Sequence, residues 1–504
     1  MSFSSPEVVL APTRSANAMV QQNRRMRVFS AFQEPKRSIM KGRRRLLFLL
    51  FLSGFTVVCL CPWLTKPPPA FSSADESSSL QRENPEGRAS IDPKDFFTID
   101  EMAKWKRYRL QKLWLHLIGL GSLLAFYFLF LLFGFNRILK EIALRLAGAC
   151  SDSRLLCRTG NRFPALRTLA KLPERIFGGQ EGLVVLAYTG LFVLVIRLVF
   201  FPQSFAQTFW FEHHYGLSTT SIALWLFDYA KSLLLGTIVL SFMVFGIYGL
   251  LNRVGDRWWL LLWAGVSVGI VGYAYIAPYR AHLYSNFHPL ESGELRGRLE
   301  ELAERQGVQI EDILVVDASR RTKKVNAYFT GSGATRRIVL FDTLVEQFTP
   351  REIVLILAHE LAHRSQGGET LSYLIFSLTA FMVLSLANQA LRRGSRMDRL
   401  HYSSPRDVAG LPVLFLTFFL AFEILRPANC VWKRARELEA DRRSLEMVCD
   451  PDAFLGIHVK LSRLNYSDVT PHPLVVFLFY SHPPFLQRAE LAQSVDCLSR
   501  GVSP

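Results

Sequence analysis

Five residues, His359-Glu360-Leu361-Ala362-His363, fit the pattern H-E-x-x-H. Histidines at i and i+4 of a helix stack on one face about one turn apart, so both imidazoles can reach a single Zn²⁺. Glu360 projects beside them, where it can take a proton from water activated by the metal. The preceding residues supply the helix. Thr349-Pro350-Arg351-Glu352 reads as its start, with Thr as N-cap, Pro at the first helical position and Glu closing a capping box. The apolar run Ile353-Val354-Leu355-Ile356-Leu357-Ala358 then carries the chain inward and sets His359 in a dry place, which strengthens electrostatics there.

Catalytic zinc takes three protein ligands and keeps one position open. The candidate source of the third is Arg434-Ala435-Arg436-Glu437-Leu438-Glu439-Ala440-Asp441, a stretch of good helix formers without Gly or Pro. Glu437 and Asp441 are i and i+4 and share a face. Glu437 can ligate zinc while Asp441 orients a ligand histidine. An exposed charged helix has the same composition, and it is the pairing with the histidine motif that favours the metal reading.

Seven long apolar runs, near 46–64, 112–135, 182–203, 229–251, 258–279, 370–391 and 410–426, read as membrane spans. They explain why half of the 504 residues are hydrophobic, with 39 Phe and 9 Trp. Residues 1–45 form a basic segment without an ordering pattern, and 46–64 is a first span or signal anchor. Met40 is an alternative start of the chain. Residues 65–111 read as a linker, rich in Ser, Pro and acidic residues up to 95, followed by an amphipathic segment. Residues 280–369 form a small α+β metalloprotease-like unit containing H-E-x-x-H. Its expected strands are Asp312–Val316, Val325–Phe329 and Arg337–Phe341, the last two joined by a Gly-Ser-Gly turn. Two spans follow in 370–426, and 427–504 completes the unit with the third ligand. The fold class is thus a mainly α, polytopic membrane protein.

A net charge of +17 raises nucleic acid as a partner, but the basic residues cluster beside spans, as membrane orientation requires. No nucleic acid is expected, whereas membrane lipids are. Ten Lys and Arg precede residue 46, nine lie in 136–181, five in 392–409 and none in 204–225. Alternation then places the metal-binding unit on the exoplasmic side. Seven scattered cysteines without C-x-x-C imply neither a disulfide framework nor a cysteine metal site.

Several separated motifs resemble one family. They are Asn326-Ala327-Tyr328-Phe329 with Arg337 through Leu344, His359 through His363, Arg434 through Asp441, and Tyr480-Ser481-His482-Pro483-Pro484 followed by Arg488. Weaker echoes are Glu212 to Tyr215-Gly216 and Tyr275 to Pro278. The chain resembles the type I CAAX prenyl endopeptidases, integral-membrane zinc metalloproteases, closely over 205–495, loosely over 95–204 and not at all over 1–90. The resemblance implies about seven transmembrane helices forming a barrel around a water-filled chamber, with a zincin-like unit facing in. It implies one Zn²⁺ per chain on His359, His363 and Glu437, with Glu360 as general base. His482 would lie near the site and stabilise the oxyanion, with Asp441 and Arg488 as supporting residues around the ligands. Asn326, Ala327 and Tyr328 would form an edge strand along which a peptide or protein substrate pairs. In the best-known members that substrate is lipid-modified.

Two features depart from the family. Leu217-Ser218 stands where Phe-Asn is usual. The charge count places the zinc unit outside, whereas family analogy makes it cytosolic, where prenylated proteins are. A quality-control zinc protease without prenyl specificity and a catalytically silent membrane scaffold are therefore competing readings. The intact His359, Glu360, His363 and Glu437 argue against the scaffold, and no broken-helix signature supports a transporter.

Overall fold

The computed structural model of the chain describes residues 91–151, 180–281, 286–330, 336–365 and 369–495. All of these lie in the larger of two compact units, Val57–Pro504. The expected first span, most of the expected linker and the Gly-Ser-Gly turn lie outside the described residues.

Among the described residues, five helical stretches are long and apolar enough to cross a membrane. They are Ile99–Leu132, Glu181–Val199, Ile222–Ile270, Leu371–Gly394 and Val408–Val448. The third takes in one expected span, 229–251, and the first part of the next, 258–279. Its first helix, Ile222–Val254, ends at Gly255, whose φ of 58° suits glycine, and a second helix runs over Trp258–Ala281. Phe128, Val239, Phe242, Val268, Leu374 and Ile424 are well exposed on these helices. Such apolar flanks suit lipid rather than water.

The last apolar helix differs most from expectation. The sequence reading ends the span at residue 426, yet the helix continues through Pro427, from Leu411 to Val448. Proline costs it one backbone hydrogen bond, but packing on the Pro350–Ser365 and Glu369–Gly394 helices holds both halves. At 38 residues it is about 57 Å long, far more than a bilayer core of about 30 Å. Its C-terminal half therefore projects beyond the apolar layer, carrying Glu437 and Asp441.

Loops at the N-terminal end of this helix are tied together. Asn136 Nδ2 donates to the carbonyls of Leu400 and Ala409, Lys140 pairs with Asp407 at 2.7 Å, and Arg392 pairs with Asp256 at 3.0 Å. At the other end the 204–225 loop joins the α+β unit. Ser218 and Thr322 form an isolated β-bridge, and Lys323 N–H donates to Leu217 O.

The α+β unit holds a four-stranded sheet. Its strands are β1 (Phe287–Pro289), β2 (Asp312–Val316), β3 (Ala327–Thr330) and β4 (Arg337–Phe341), in the order β1-β2-β4-β3. β2 and β4 pair in parallel, and the other pairs are antiparallel. The sequence reading found β2 and β4, placed β3 slightly early and missed the three-residue β1. Ile313, Ile338 and Leu340 meet Ile353, Leu357 and Leu361 of the histidine helix and Leu445 of the long helix in one apolar core. That burial sets the histidine helix against the sheet.

Candidate metal centre

The histidine helix, Pro350–Ser365, starts as its sequence requires. Thr349 N–H donates to Glu352 at 2.8 Å, and Lys460 adds an ion pair to the same carboxylate at 2.8 Å. One face of the helix is buried through Ile353, Leu357, Ala358 and Leu361, which leaves His359 and His363 on an adjacent face toward the long helix. Their rings lie 4.8 Å apart at nearly a right angle.

Glu437 stands opposite. Its carboxylate oxygens are 3.4 Å from His359 Nε2 and 3.4 Å from His363 Nε2. One ligand atom from each of the three residues lies within 4.8 Å of the others. Tetrahedral zinc with bonds of about 2.0–2.1 Å separates its ligand atoms by about 3.4 Å, so this donor set fits such an ion.

Asp441 lies one turn beyond Glu437 and is completely buried. Its Oδ1 is 2.8 Å from His359 Nδ1, and its Oδ2 is 2.9 Å from Arg488 Nε. Arg488 also reaches Glu437 at 3.5 Å and His458 Nδ1 at 3.1 Å. His482 Nε2 is 3.7 Å from Glu437, while its Nδ1 meets Ser481 Oγ at 2.9 Å. Arg434 steadies this segment by donating to the carbonyls of Val476 and Tyr480, both at 2.6 Å. Burial pushes the Glu360 carboxyl up, against the lowering pull of His359 and His363. A raised value suits a base that must also release its proton.

His359, Glu360, His363, Glu437, His482 and the segment Asn326–Tyr328 line one cavity of about 2920 Å³. β3 forms an edge of the sheet. Phe341 N–H donates to Asn326 O, which brackets the Ala327–Leu340 pair and makes it the non-hydrogen-bonded kind. Ala327 therefore turns its own N–H and C=O away from β4, toward the free edge.

All ten residues singled out from the sequence gather at this site. Sequence reasoning missed His458, a lone histidine in no motif. It also missed the tie behind β3, where Glu212 accepts from Lys112 and Lys324, each at 2.7 Å. His213, in the 204–225 loop, is engaged by the Phe209 and Thr220 carbonyls.

Residues 289–495 match the profile of peptidase family M48, and residues 88–281 match the CAAX prenyl protease N-terminal region, described as five membrane helices. An uncharacterized metalloprotease of Bacillus subtilis, YhfN, is 30% identical over 56% of this chain and 67% of its own length. CAAX prenyl protease 1 of Saccharomyces cerevisiae is 30% identical over 63% of this chain and 74% of its own. The crystal structure of S. mikatae Ste24p has the same fold, with a TM-score of 0.63 at 21% identity, covering 89% of this chain and 97% of that one.

Proposed function

We infer the roles of the site residues from the family to which this chain belongs, the CAAX prenyl endopeptidases of peptidase family M48, which makes it a multi-pass membrane metalloendopeptidase. The resident metal is zinc, one ion per chain, held by His359, His363 and Glu437. The observation that carries this reading is the pair of 3.4 Å separations between Glu437 and the two imidazoles. Bound zinc supplies a Lewis acid that makes water nucleophilic near pH 7 and polarises the substrate carbonyl.

The chain's own residues do the rest. Ala327 offers outward N–H and C=O groups that align an extended peptide on the edge of β3. Glu360 accepts a proton as the water oxygen attacks the peptide carbonyl carbon. His482 donates to the developing oxyanion. As the C–N bond breaks, Glu360 returns the proton to the leaving amine. Asp441 and Arg488 hold His359 and Glu437 in place. Metal analysis of the purified protein beside Glu437→Ala tests the ligand set. One zinc in the wild type and little in the variant is expected, and equal zinc in both would overturn it.

The metal centre faces the exoplasm. Glu437 lies 26 residues beyond Leu411 on one helix, about 39 Å from the end where the 136–140, 255–257 and 392–409 segments meet. Those segments hold basic residues, as cytoplasmic loops do. Cys449, which ends the same helix, is disulfide-bonded, against the sequence expectation of no disulfide framework. Disulfides persist in oxidising compartments. A cysteine introduced within 396–405 should be shielded from an impermeant reagent and one within 218–222 labelled. The reverse labelling would establish the cytosolic orientation.

The substrate is a protein or peptide, and its lipid modification depends on that orientation. A cytosolic site favours a prenylated C-terminus. The Cys449 disulfide favours the second reading, a quality-control protease that needs no prenyl group. Matched prenylated and unprenylated peptides separate the two, with equal cleavage expected for the second.

A further inference from the structure

The helix Pro451–Asn465 packs Phe454, Ile457 and Leu461 into the apolar core beneath the site. His458 sits among them and is buried. Its ring meets Phe454 edge-on at 4.4 Å, a contact that an apolar side chain would make as well. Burying an imidazole there has a desolvation cost unless it is used. The use lies at Nδ1, 3.1 Å from Arg488 Nη1.

Arg488 is a three-way fork. Nε faces Asp441 at 2.9 Å, Nη2 faces Glu437 at 3.5 Å and Nη1 faces His458. A guanidinium only donates, so His458 Nδ1 is the acceptor and its ring proton sits on Nε2. Burial and the neighbouring Arg488 cation hold the His458 pKa well below the usual imidazole range, which keeps that acceptor available. Both carboxylates come from one helix and the Glu437 contact is long, so the contact from His458 adds a third constraint on the guanidinium from a different helix.

We propose that His458 is a positioning residue of the metal centre. It anchors Arg488, which in turn sets the Glu437 carboxylate and, through Asp441, the His359 ring. The proposal rests on the reading of Glu437 and His359 as metal ligands. A role in packing alone would be met by any side chain of similar size. A positioning role demands an acceptor.

The test measures zinc affinity of the detergent-purified full chain by chelator competition, alongside the thermal stability of the metal-free protein. His458→Phe keeps the ring contact with Phe454 and removes the acceptor. It should weaken zinc binding on the order of 10-fold. His458→Gln keeps an acceptor and should stay within about threefold. In an Arg488→Met background, His458→Phe should cause no further loss, because its effect passes through that side chain. Equal weakening by Phe and Gln, or an additive loss in the Arg488→Met background, would overturn the proposal. Should His458→Phe fail to fold, His458→Met against His458→Gln makes the same comparison. Absence of zinc from the wild type would sink the ligand reading, whereas wild-type binding with an unaffected Phe variant sinks only the role of His458.

Discussion

His359 Nδ1 lies 2.8 Å from Oδ1 of the fully buried Asp441, and this contact determines which imidazole nitrogen faces Glu437. With Nδ1 engaged, Nε2 points at the carboxylate 3.4 Å away. Asp441→Asn keeps the shape and removes the charge. Zinc affinity should fall on the order of 10–100-fold, read by chelator competition. Unchanged affinity would remove Asp441 from the account of the site.

Glu360→Gln should fold, keep its zinc and lose hydrolysis. The amide occupies the same volume on the buried helix but cannot accept a proton from water. A fall on the order of 100-fold or more in kcat is expected, with peptide binding retained. Turnover at the wild-type rate would mean that another group is the base.

Ala327→Pro tests the edge strand. Ala327 turns its N–H away from β4, so proline removes a donor aimed at substrate without breaking a hydrogen bond to β4. KM should rise on the order of 10-fold or cleavage should be lost, with zinc content unchanged. Normal peptide cleavage would move the substrate to another wall of the cavity.

The start of the histidine helix makes stability pH-dependent. Burial raises the Glu352 pKa, but Lys460 and Thr349 more than offset it, so the carboxylate titrates below its usual range. A depressed folded value contributes stability above the unfolded pKa of about 4.3 and loses it as pH falls through the lower folded value. Glu352→Gln should therefore cost about 1 kcal/mol near pH 7, with the gap to wild type closing below about pH 4. Thermal unfolding of both proteins across that range provides the check. A gap independent of pH would show that neutral hydrogen bonds, not charge, hold this helix start.

Local periodicity made much of this protein legible from its residues. The helical repeat alone sets His359 beside His363 and Glu437 beside Asp441, and runs of apolar residues mark the spans. Short continuous apolar runs rich in β-branched residues mark β2 and β4. These features depend on near neighbours in the chain, and side-chain direction follows from backbone geometry there. Other features arise only when distant segments meet. No local pattern extends the long helix through Pro427, because packing on two other helices offsets the missing hydrogen bond. None shows that Ala327 turns its backbone to the open edge, because that depends on the register with Leu340. None selects His458, whose partner Arg488 lies 30 residues further on and becomes a neighbour only when the two helices pack together. The sequence determined which side chains could bind a metal and move a proton. Tertiary packing decided which atoms of those side chains face one another, since that requires burial of several helices against one sheet.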